Sequence, residues 1–180
     1  MPFDIPAPPP GEPSWPYELY KLLKDAGITQ FSYVPDAGHK VLINLSLADP
    51  DVHSIPLTSE EEGVAMAAGA HLGGQKHVLL MQSSGAGNCI NMLSLPRLGK
   101  FPFLTILSMR GDFGEGNPWQ MPMGKSVQPV LEACDVLCLK VEKPEEVIPT
   151  VEAAITMAFQ SQESVAVLLG QKLIGAKKFG

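Results

Sequence analysis

The chain has 180 residues, of which 45% are hydrophobic and 18% are charged, so it is long and apolar enough for one globular domain. Its net charge of −6, with no cluster of Lys and Arg, argues against nucleic acid as a partner. The apolar run Phe101–Met109 is too short to cross a membrane. Prolines stand where a signal peptide needs an apolar core, so a cytoplasmic protein is predicted.

Three regions are predicted along the chain. Residues 1–16 form a Pro-rich arm with seven prolines, expected to stay extended outside any helix or sheet and to lie over its own or a neighbouring subunit. Residues 17–170 form the domain, and residues 171–180 form a C-terminal tail. The three cysteines lack zinc-site spacing and fit buried positions in a reducing compartment: Cys89, Cys134 and Cys138.

Within the domain, helical and strand patterns alternate. The pattern predicts a helix over Tyr17–Ala26, a strand over Gln30–Val34, a helix to about Leu47, a strand over Val52–Pro56, a helix from Glu60, a strand over His77–Gln82, a turn at Ser83–Asn88 into another helix, a strand over Pro102–Ser108, a loop over Arg110–Gly124, a helix near Lys125–Ala133, a strand over Val136–Val141, a helix over Glu145–Gln160 and a strand over Ser164–Leu169. Continuously apolar strands separated by helices indicate an α/β fold, here a single doubly wound domain with a six-stranded, mainly parallel sheet.

Three turns of this domain follow strands directly, at Asp36, Glu60 and Ser84. Because the carboxyl ends of parallel strands meet at one edge of a sheet, we expect these turns to lie together there, where such folds bind ligands. Arg110 also follows a strand and is predicted at the same edge.

The segment Ser59–Gly69 places three glutamates at the start of a helix made of small residues. Such a helix is suited to close packing, and a carboxylate at a packed boundary can be tuned as an acid or base. The alternative is an ordinary acidic first turn capped by Thr58 or Ser59.

The other polar positions each allow two interpretations. The Ser84–Asn88 turn is a binding loop or a close-packed turn, and Asp36 is a site residue or a helix cap. His39 is a site residue or a surface or capping residue. Arg110 is an anchor for a substrate anion or pairs with Asp112 or Glu115. The loop that carries Trp119 and Gln120 is apolar enough to cover a ligand or a subunit contact.

Taken in order, Val34-Pro35-Asp36, Glu60-Glu61-Glu62-Gly63-Val64-Ala65, Met81–Asn88 and Arg110-Gly111-Asp112 resemble the pyrimidine-binding domain of thiamine-diphosphate-dependent 2-oxoacid decarboxylases, and most closely the sulfopyruvate and phosphonopyruvate decarboxylase group. The resemblance covers about Tyr17 to Leu169. It implies non-oxidative loss of CO2 from a small anionic 2-oxoacid, giving an aldehyde.

The resemblance also implies roles for individual residues. A glutamate hydrogen-bonds N1′ of the cofactor's aminopyrimidine; counting from Gly69 selects Glu60, which we favour, whereas anchoring on Gly63 selects the alternative, Glu61. The Ser84–Asn88 turn, with Ser84, Gly85, Gly87 and Asn88, then lies beside the pyrimidine. Asp36 and His39 face the substrate end. Arg110 and Gln120 are our candidate substrate contacts, and no metal ligand is assigned.

The family holds Mg2+ and the cofactor's diphosphate with a Gly-Asp-Gly followed by paired asparagines, which Gly111-Asp112-Phe113 does not match. The resemblance therefore implies an alpha-type subunit, inactive alone, that works with a diphosphate-binding beta-type subunit in a hetero-oligomer with paired pyrimidine domains at its core. The alternatives are an orphan pyrimidine-domain module without catalysis and a subunit of an acetolactate-synthase-like carboligase.

Overall fold

The computed structural model describes residues 3–176, so Met1 and Pro2 of the predicted arm and the last four residues of the predicted tail lie outside it. Six strands are present: β1 (Ile28–Tyr33), β2 (His53–Pro56), β3 (Lys76–Gln82), β4 (Phe103–Ser108), β5 (Leu137–Val141) and β6 (Ser164–Leu169). They form one sheet in the order β2-β1-β3-β4-β6-β5, and every neighbouring pair is parallel. The predicted fold class is therefore confirmed, and the sheet is entirely parallel within the described residues.

Helices connect the strands and cover both faces of the sheet. They are α1 (Trp15–Asp25), α2 (Lys40–Ala48), α3 (Glu60–Leu72), α4 (Ala86–Cys89), α5 (Ser94–Gly99), α6 (Met121–Ala133), α7 (Pro144–Phe159) and α8 (Gln171–Ile174). Within residues 3–176, no helix is both long and apolar enough to cross a lipid bilayer.

Two hydrophobic cores lie on opposite faces of the sheet. Side chains alternate along β3, so that Leu80 points to the core under α1, α2 and α7, whereas Leu79 and Met81 point to the core under α3, α4 and α6. All six residues of β4 are buried, as expected for a central strand covered on both faces. Burial of each such Leu or Phe side chain stabilises the folded state by roughly 1.5–3 kcal/mol. These two cores therefore hold the strands of the sheet, and with them the strand ends, in fixed positions.

Helix α3 packs closely on the sheet, as its small residues predict. A Cβ at Gly63 would overlap the side chain of Leu79 and lie 3.0 Å from Ser32 Oγ. The Ser59 side chain makes no capping hydrogen bond; instead Glu62 Oε2 accepts one from the backbone N–H of Thr58, at 3.1 Å. The alternative interpretation of a side-chain cap by Thr58 or Ser59 is thus wrong, and the first turn of α3 is held by one of its own acids.

Helices α1 and α6 begin two or more residues earlier than predicted. Helix α1 starts at Trp15 and includes Pro16, because a proline in the first turn removes no helical hydrogen bond. Helix α6 starts at Met121 and not near Lys125. Gly124 lies in the first turns of α6, where a Cβ would overlap the carbonyl oxygen of Arg110. Only a glycine therefore lets this part of the helix approach the Arg110 backbone so closely.

The described part of the Pro-rich arm lies over its own chain, one of the two predicted positions. Phe3 and Ile5 pack against the core under α1 and α2, and the Phe3 ring meets Tyr20 edge-on with centroids 6.4 Å apart. The three cysteines are unbridged: Cys89 is buried, and Cys134 and Cys138 are half-buried.

Candidate active site

The turns at Asp36, Glu60 and Ser84 lie at the same edge of the sheet, as predicted from their positions after strands. The Gln82 side chain, at the end of β3, donates a hydrogen bond to Asp36 after β1, with the two atoms 3.2 Å apart. Asn88, beyond the same strand, donates one to Glu60 at the start of α3, at 2.8 Å. The parallel sheet therefore brings two carboxylates to one region.

Glu60 is the acid that the fold encloses. It is 8% exposed, its Oε2 accepts the hydrogen bond from Asn88 Nδ2, and a Cβ at Gly85 would overlap its carboxyl group. Glu61, one position along the helix, is exposed. The geometry therefore favours Glu60 over Glu61 as the acid of this site. It also explains why a glycine stands at position 85, since a larger residue would displace the carboxylate.

Asp36 lies in a second cluster of hydrogen bonds. Its Oδ2 accepts from the backbone N–H of Gly38 at 2.8 Å and from Ser108 Oγ at 2.6 Å. Burial opposes its ionisation, but the hydrogen bond from Ser108, the charge of His39 and its other hydrogen bonds together hold the pKa of the Asp36 carboxyl below its usual value. Asp36 is therefore an ionised acceptor at neutral pH. It also caps the short 3-10 turn Ala37–His39, so both interpretations of Asp36 from the sequence are compatible.

One side chain links the turn at Ser84 to Asp36. Gln82 Oε1 accepts a hydrogen bond from Ser84 Oγ at 2.7 Å, while Gln82 Nε2 donates to Asp36. This pair of bonds fixes the orientation of the Gln82 amide, because its oxygen only accepts and its nitrogen only donates. Ser84 is itself exposed and therefore accessible to a ligand.

His39 lies beneath this surface and does not line it. Its side chain is 1% exposed, with Nε2 placed 3.1 Å from the carbonyl oxygen of Met81. A carbonyl only accepts, so Nε2 carries the proton, and Nδ1 has no hydrogen-bond partner within the described residues. Burial lowers the pKa of His39, against the opposing charge of Asp36. The interpretation of His39 as a surface residue is wrong. Its catalytic role stays a prediction.

Arg110 forms a buried ion pair with Glu115, one of the two pairings that the sequence allows. Its Nε and Nη2 donate to the two carboxylate oxygens at 2.5 and 2.7 Å, and the Glu115 side chain is fully buried. The Arg110 residue also lines a cavity of about 150 Å3 together with Asp36 and Ser108. Contact of Arg110 with a substrate anion stays a prediction, since Glu115 already offsets its charge.

Gln171 connects this ion pair to the C-terminal part of the chain. Its side-chain oxygen accepts from the backbone N–H groups of Asp112 and Phe113, each at 3.1 Å, and its Nε2 donates to Glu115 at 3.0 Å. The residue is 1% exposed. Gln120, the other predicted substrate contact, is half-buried, and its Oε1 is buried with no partner among the residues the structure describes.

Replacing Glu115 by glutamine should lower the free energy of unfolding at pH 7 by about 3 kcal/mol, because it leaves the Arg110 charge without its buried partner. The hydrogen bond from Arg110 lowers the pKa of Glu115 from 4.5 to about 2. A lowered pKa stabilises the folded state above the unfolded value, so this contribution is lost as the pH falls from 4.5 to about 2. Urea denaturation at several pH values in this range should show the free energies of unfolding of wild type and variant converging as the pH falls.

The exposed Glu145 in the first turn of α7 gives a matched control. Its replacement by glutamine should change the free energy of unfolding by less than about 0.5 kcal/mol. If the free energies of unfolding of wild type and the Glu115 variant instead differ by the same amount at every pH between 4.5 and 2, a stabilising Arg110–Glu115 pair would be contradicted.

Three residues of the site were not predicted from the sequence. Gln82 and Ser108 are the last residues of β3 and β4 and pair with each other in the sheet register. A polar residue that ends an apolar strand was the available signal, because the carboxyl ends of strands form the ligand edge. Gln171 was assigned to the tail; a polar side chain just after the apolar strand β6 gave the same signal.

No group of three His, Cys, Asp or Glu side chains in the described part of the chain is arranged to hold a metal ion.

Comparison with solved structures defines the class of fold. The chain superposes on 2-oxoglutarate:ferredoxin oxidoreductase from Magnetococcus marinus, solved with 2-oxoglutarate, coenzyme A and succinyl-CoA bound, with a TM-score of 0.72 and 16% identity. The match covers 89% of this chain and 29% of that chain. The six-stranded parallel domain is therefore a fold that also occurs within a much larger 2-oxoacid enzyme.

Sequence comparison gives the family. The chain is 38% identical to sulfopyruvate decarboxylase subunit alpha of Methanococcus maripaludis over 152 residues, 84% of this chain and 91% of that subunit. It is also 38% identical to the alpha subunit of Methanocaldococcus jannaschii, over 83% of this chain and 89% of that subunit. The chain therefore belongs to the sulfopyruvate decarboxylase alpha-subunit family.

A longer relative matches as well. Sulfopyruvate decarboxylase of Methanosarcina acetivorans is 32% identical over 157 residues, which are 87% of this chain but 40% of that protein. No family model matches the chain.

Proposed function

We propose that this chain is the alpha-type subunit of a heteromeric, thiamine-diphosphate-dependent decarboxylase that releases CO2 from a small anionic 2-oxoacid and gives an aldehyde. The observation that carries the proposal is the enclosed Glu60 carboxylate, held by Asn88 against Gly85, in a chain of this family. Sulfopyruvate is the first candidate substrate, because two alpha subunits and one longer relative are named for it.

The residues around Glu60 fit an aminopyrimidine ring. Asn88 occupies Oε2 of Glu60, and no hydrogen bond from the described residues reaches Oε1. Gly85 leaves room for the carboxyl group where a Cβ would collide with it. Ser84, Gly87 and Asn88 are exposed at the same turn and would hold the ring from the side. The bound cofactor would supply the positively charged ring that accepts the electrons left when CO2 departs.

The chain's own residues would manage position and protons. Oε1 of Glu60 is the atom we assign to the shared proton at the ring nitrogen, and Asn88 keeps the carboxylate in one orientation. Asp36, ionised and held by Ser108 and Gly38, would accept a proton or a hydrogen bond at the substrate end. General acid–base groups of this kind contribute roughly 10²–10⁴-fold to rate.

We further propose that a second polypeptide completes the site and holds Mg2+ and the diphosphate. Three observations favour it. Two similar relatives are named as subunits, and this chain matches only 40% of the M. acetivorans protein, which is not named as a subunit. The Gly-Asp-Gly pattern that marks the diphosphate half is also missing at Gly111-Asp112-Phe113. Paired pyrimidine domains at the core of the assembly and a cytoplasmic location belong to the same proposal.

Purification of the tagged chain from its native host tests the partnership. We expect a second polypeptide that carries Gly-Asp-Gly and paired asparagines, identified by mass. Recovery of the chain alone, as a homodimer whose melting temperature does not respond to thiamine diphosphate and Mg2+, would favour the orphan module.

A further inference from the structure

One segment beside the candidate site carries large apolar side chains in contact with solvent. Phe113, Trp119 and Met121 are 51%, 84% and 37% exposed, and we call these three residues the Trp119 patch. Trp119 is the more exposed of the two tryptophans, since Trp15 is 7% exposed. Exposed clusters of large apolar residues mark interaction sites, and tryptophan is enriched among the residues that contribute most to binding energy.

The backbone under the patch is fixed by buried polar contacts. Besides Arg110 and Gln171, Glu115 accepts a hydrogen bond from the backbone N–H of Asn117, at 2.9 Å. The Asn117 side chain in turn accepts one from the backbone N–H of Trp119, at 3.1 Å. A Cβ at Gly111 would overlap the backbone of Gln120, so the two ends of the loop touch. Trp119 is thus presented from a pre-ordered loop, which reduces the entropy cost of binding.

The patch adjoins the candidate active site. Helix α6 begins within it and packs against the Ser83–Gly85 turn and α4. The Met123 side chain lies 3.9 Å from the position of a Cβ at Gly87, in the turn that would hold the cofactor ring. The two most exposed large apolar side chains outside the patch, those of Leu98 and Leu72, lie near the ends of helices that lead into β4 and β3, and thus at the opposite edge of the sheet.

We propose that the Trp119 patch is the docking surface for the partner subunit that carries the diphosphate half of the cofactor site. This inference rests on the proposed function, because it names where that partner binds. A partner that supplies the diphosphate must meet the sheet edge that carries Glu60 and the Ser84–Asn88 turn. Within residues 3–176, the large exposed apolar side chains near this edge are those of the Trp119 patch and Ile90, which follows α4, and Trp119 is the most exposed of them.

The two tryptophans make the contact measurable. The probe is the purified polypeptide of the same host that carries Gly-Asp-Gly and paired asparagines, titrated into the full-length chain with thiamine diphosphate and Mg2+. We expect a blue shift of tryptophan emission and loss of iodide quenching, both contributed by Trp119 and absent from Trp119→Phe. Trp119→Ala should raise the Kd for the partner about 30-fold or more, as residues of this kind do at interface centres.

Leu98→Ala is the matched control, since Leu98 is 83% exposed but lies at the other edge. It should leave the Kd unchanged, and circular dichroism should show all three variants folded. The inference is overturned if Trp119→Ala binds the partner with the Kd of wild type. It is also overturned if the variant binds normally and only its turnover rate at saturating partner falls. Protection of Trp119 by self-association of the chain would overturn it in favour of a second copy.

The wild-type titration separates the two failures. If wild-type chain neither binds the probe polypeptide nor gains activity from it, the proposed function fails and the docking inference fails with it. If wild type binds and turns over while Trp119→Ala is unaffected, only the docking inference fails.

Discussion

Replacing Glu60 by glutamine is expected to lower the kcat of the assembled decarboxylase by roughly 10²–10⁴-fold, the usual contribution of a general acid–base group. Glutamine has nearly the same shape and keeps an oxygen that can accept the Asn88 hydrogen bond, but it cannot share a proton as a carboxylate does. The free energy of unfolding should therefore change by less than about 1 kcal/mol, and the affinity for the partner should stay the same. CO2 release from sulfopyruvate at saturating partner and cofactor measures the effect.

Glu61→Gln decides between the two glutamates that the sequence left open. Because Glu61 is exposed and Glu60 is enclosed by Asn88 and Gly85, the Glu61 variant should retain activity within about threefold of wild type, as is usual for surface substitutions. The opposite ranking of the two variants would assign the acid to Glu61.

Gly85→Ala is expected to lower kcat about 100-fold, the scale of loss when a catalytic group moves by about 1 Å. The backbone at Gly85 has φ −66° and ψ −26°, which alanine adopts without strain. The new Cβ would instead collide with the end of the Glu60 side chain, which can swing away. The protein should fold normally while the carboxylate leaves its position beside Asn88, so kcat falls without a comparable fall in melting temperature.

Gly73→Ala is the control for adding a methyl group. A Cβ at Gly73 meets only the carbonyl oxygens of Gly69 and Ala70, at the ordinary contact distance of 3.5 Å. Gly73 follows α3 at the end far from Glu60, so activity should match wild type. A Gly85→Ala enzyme with full activity would show that the Glu60 carboxylate does not need the space that Gly85 leaves.

The fold was predictable because its signals are local. Continuously apolar strands such as Phe103–Ser108, each followed by a turn and a helical pattern, specify a covered parallel sheet without knowledge of distant contacts. The same logic placed Asp36, Glu60 and Ser84 at one edge, which the hydrogen bonds of Gln82 and Asn88 confirm.

The remaining features depend on contacts between residues far apart in sequence. The close approach of α6 to the Arg110 carbonyl depends on the glycine at position 124, and the role of Gln171 depends on Asp112 and Glu115, more than fifty residues away. Spacing from Gly69 already favoured Glu60 over Glu61, but the enclosure of the Glu60 carboxyl group by Asn88 and Gly85 is visible only in the fold. Pairwise geometry of this kind is set by tertiary packing and not by local propensity.

Reconstitution of activity is the measurement that tests the central claim most directly. CO2 release from sulfopyruvate is followed while the purified diphosphate-binding polypeptide is added to this chain with thiamine diphosphate and Mg2+. We predict that neither polypeptide is active alone and that the rate rises with added partner until it saturates. Decarboxylation by this chain alone at the rate of the mixture would contradict a site completed by a second subunit.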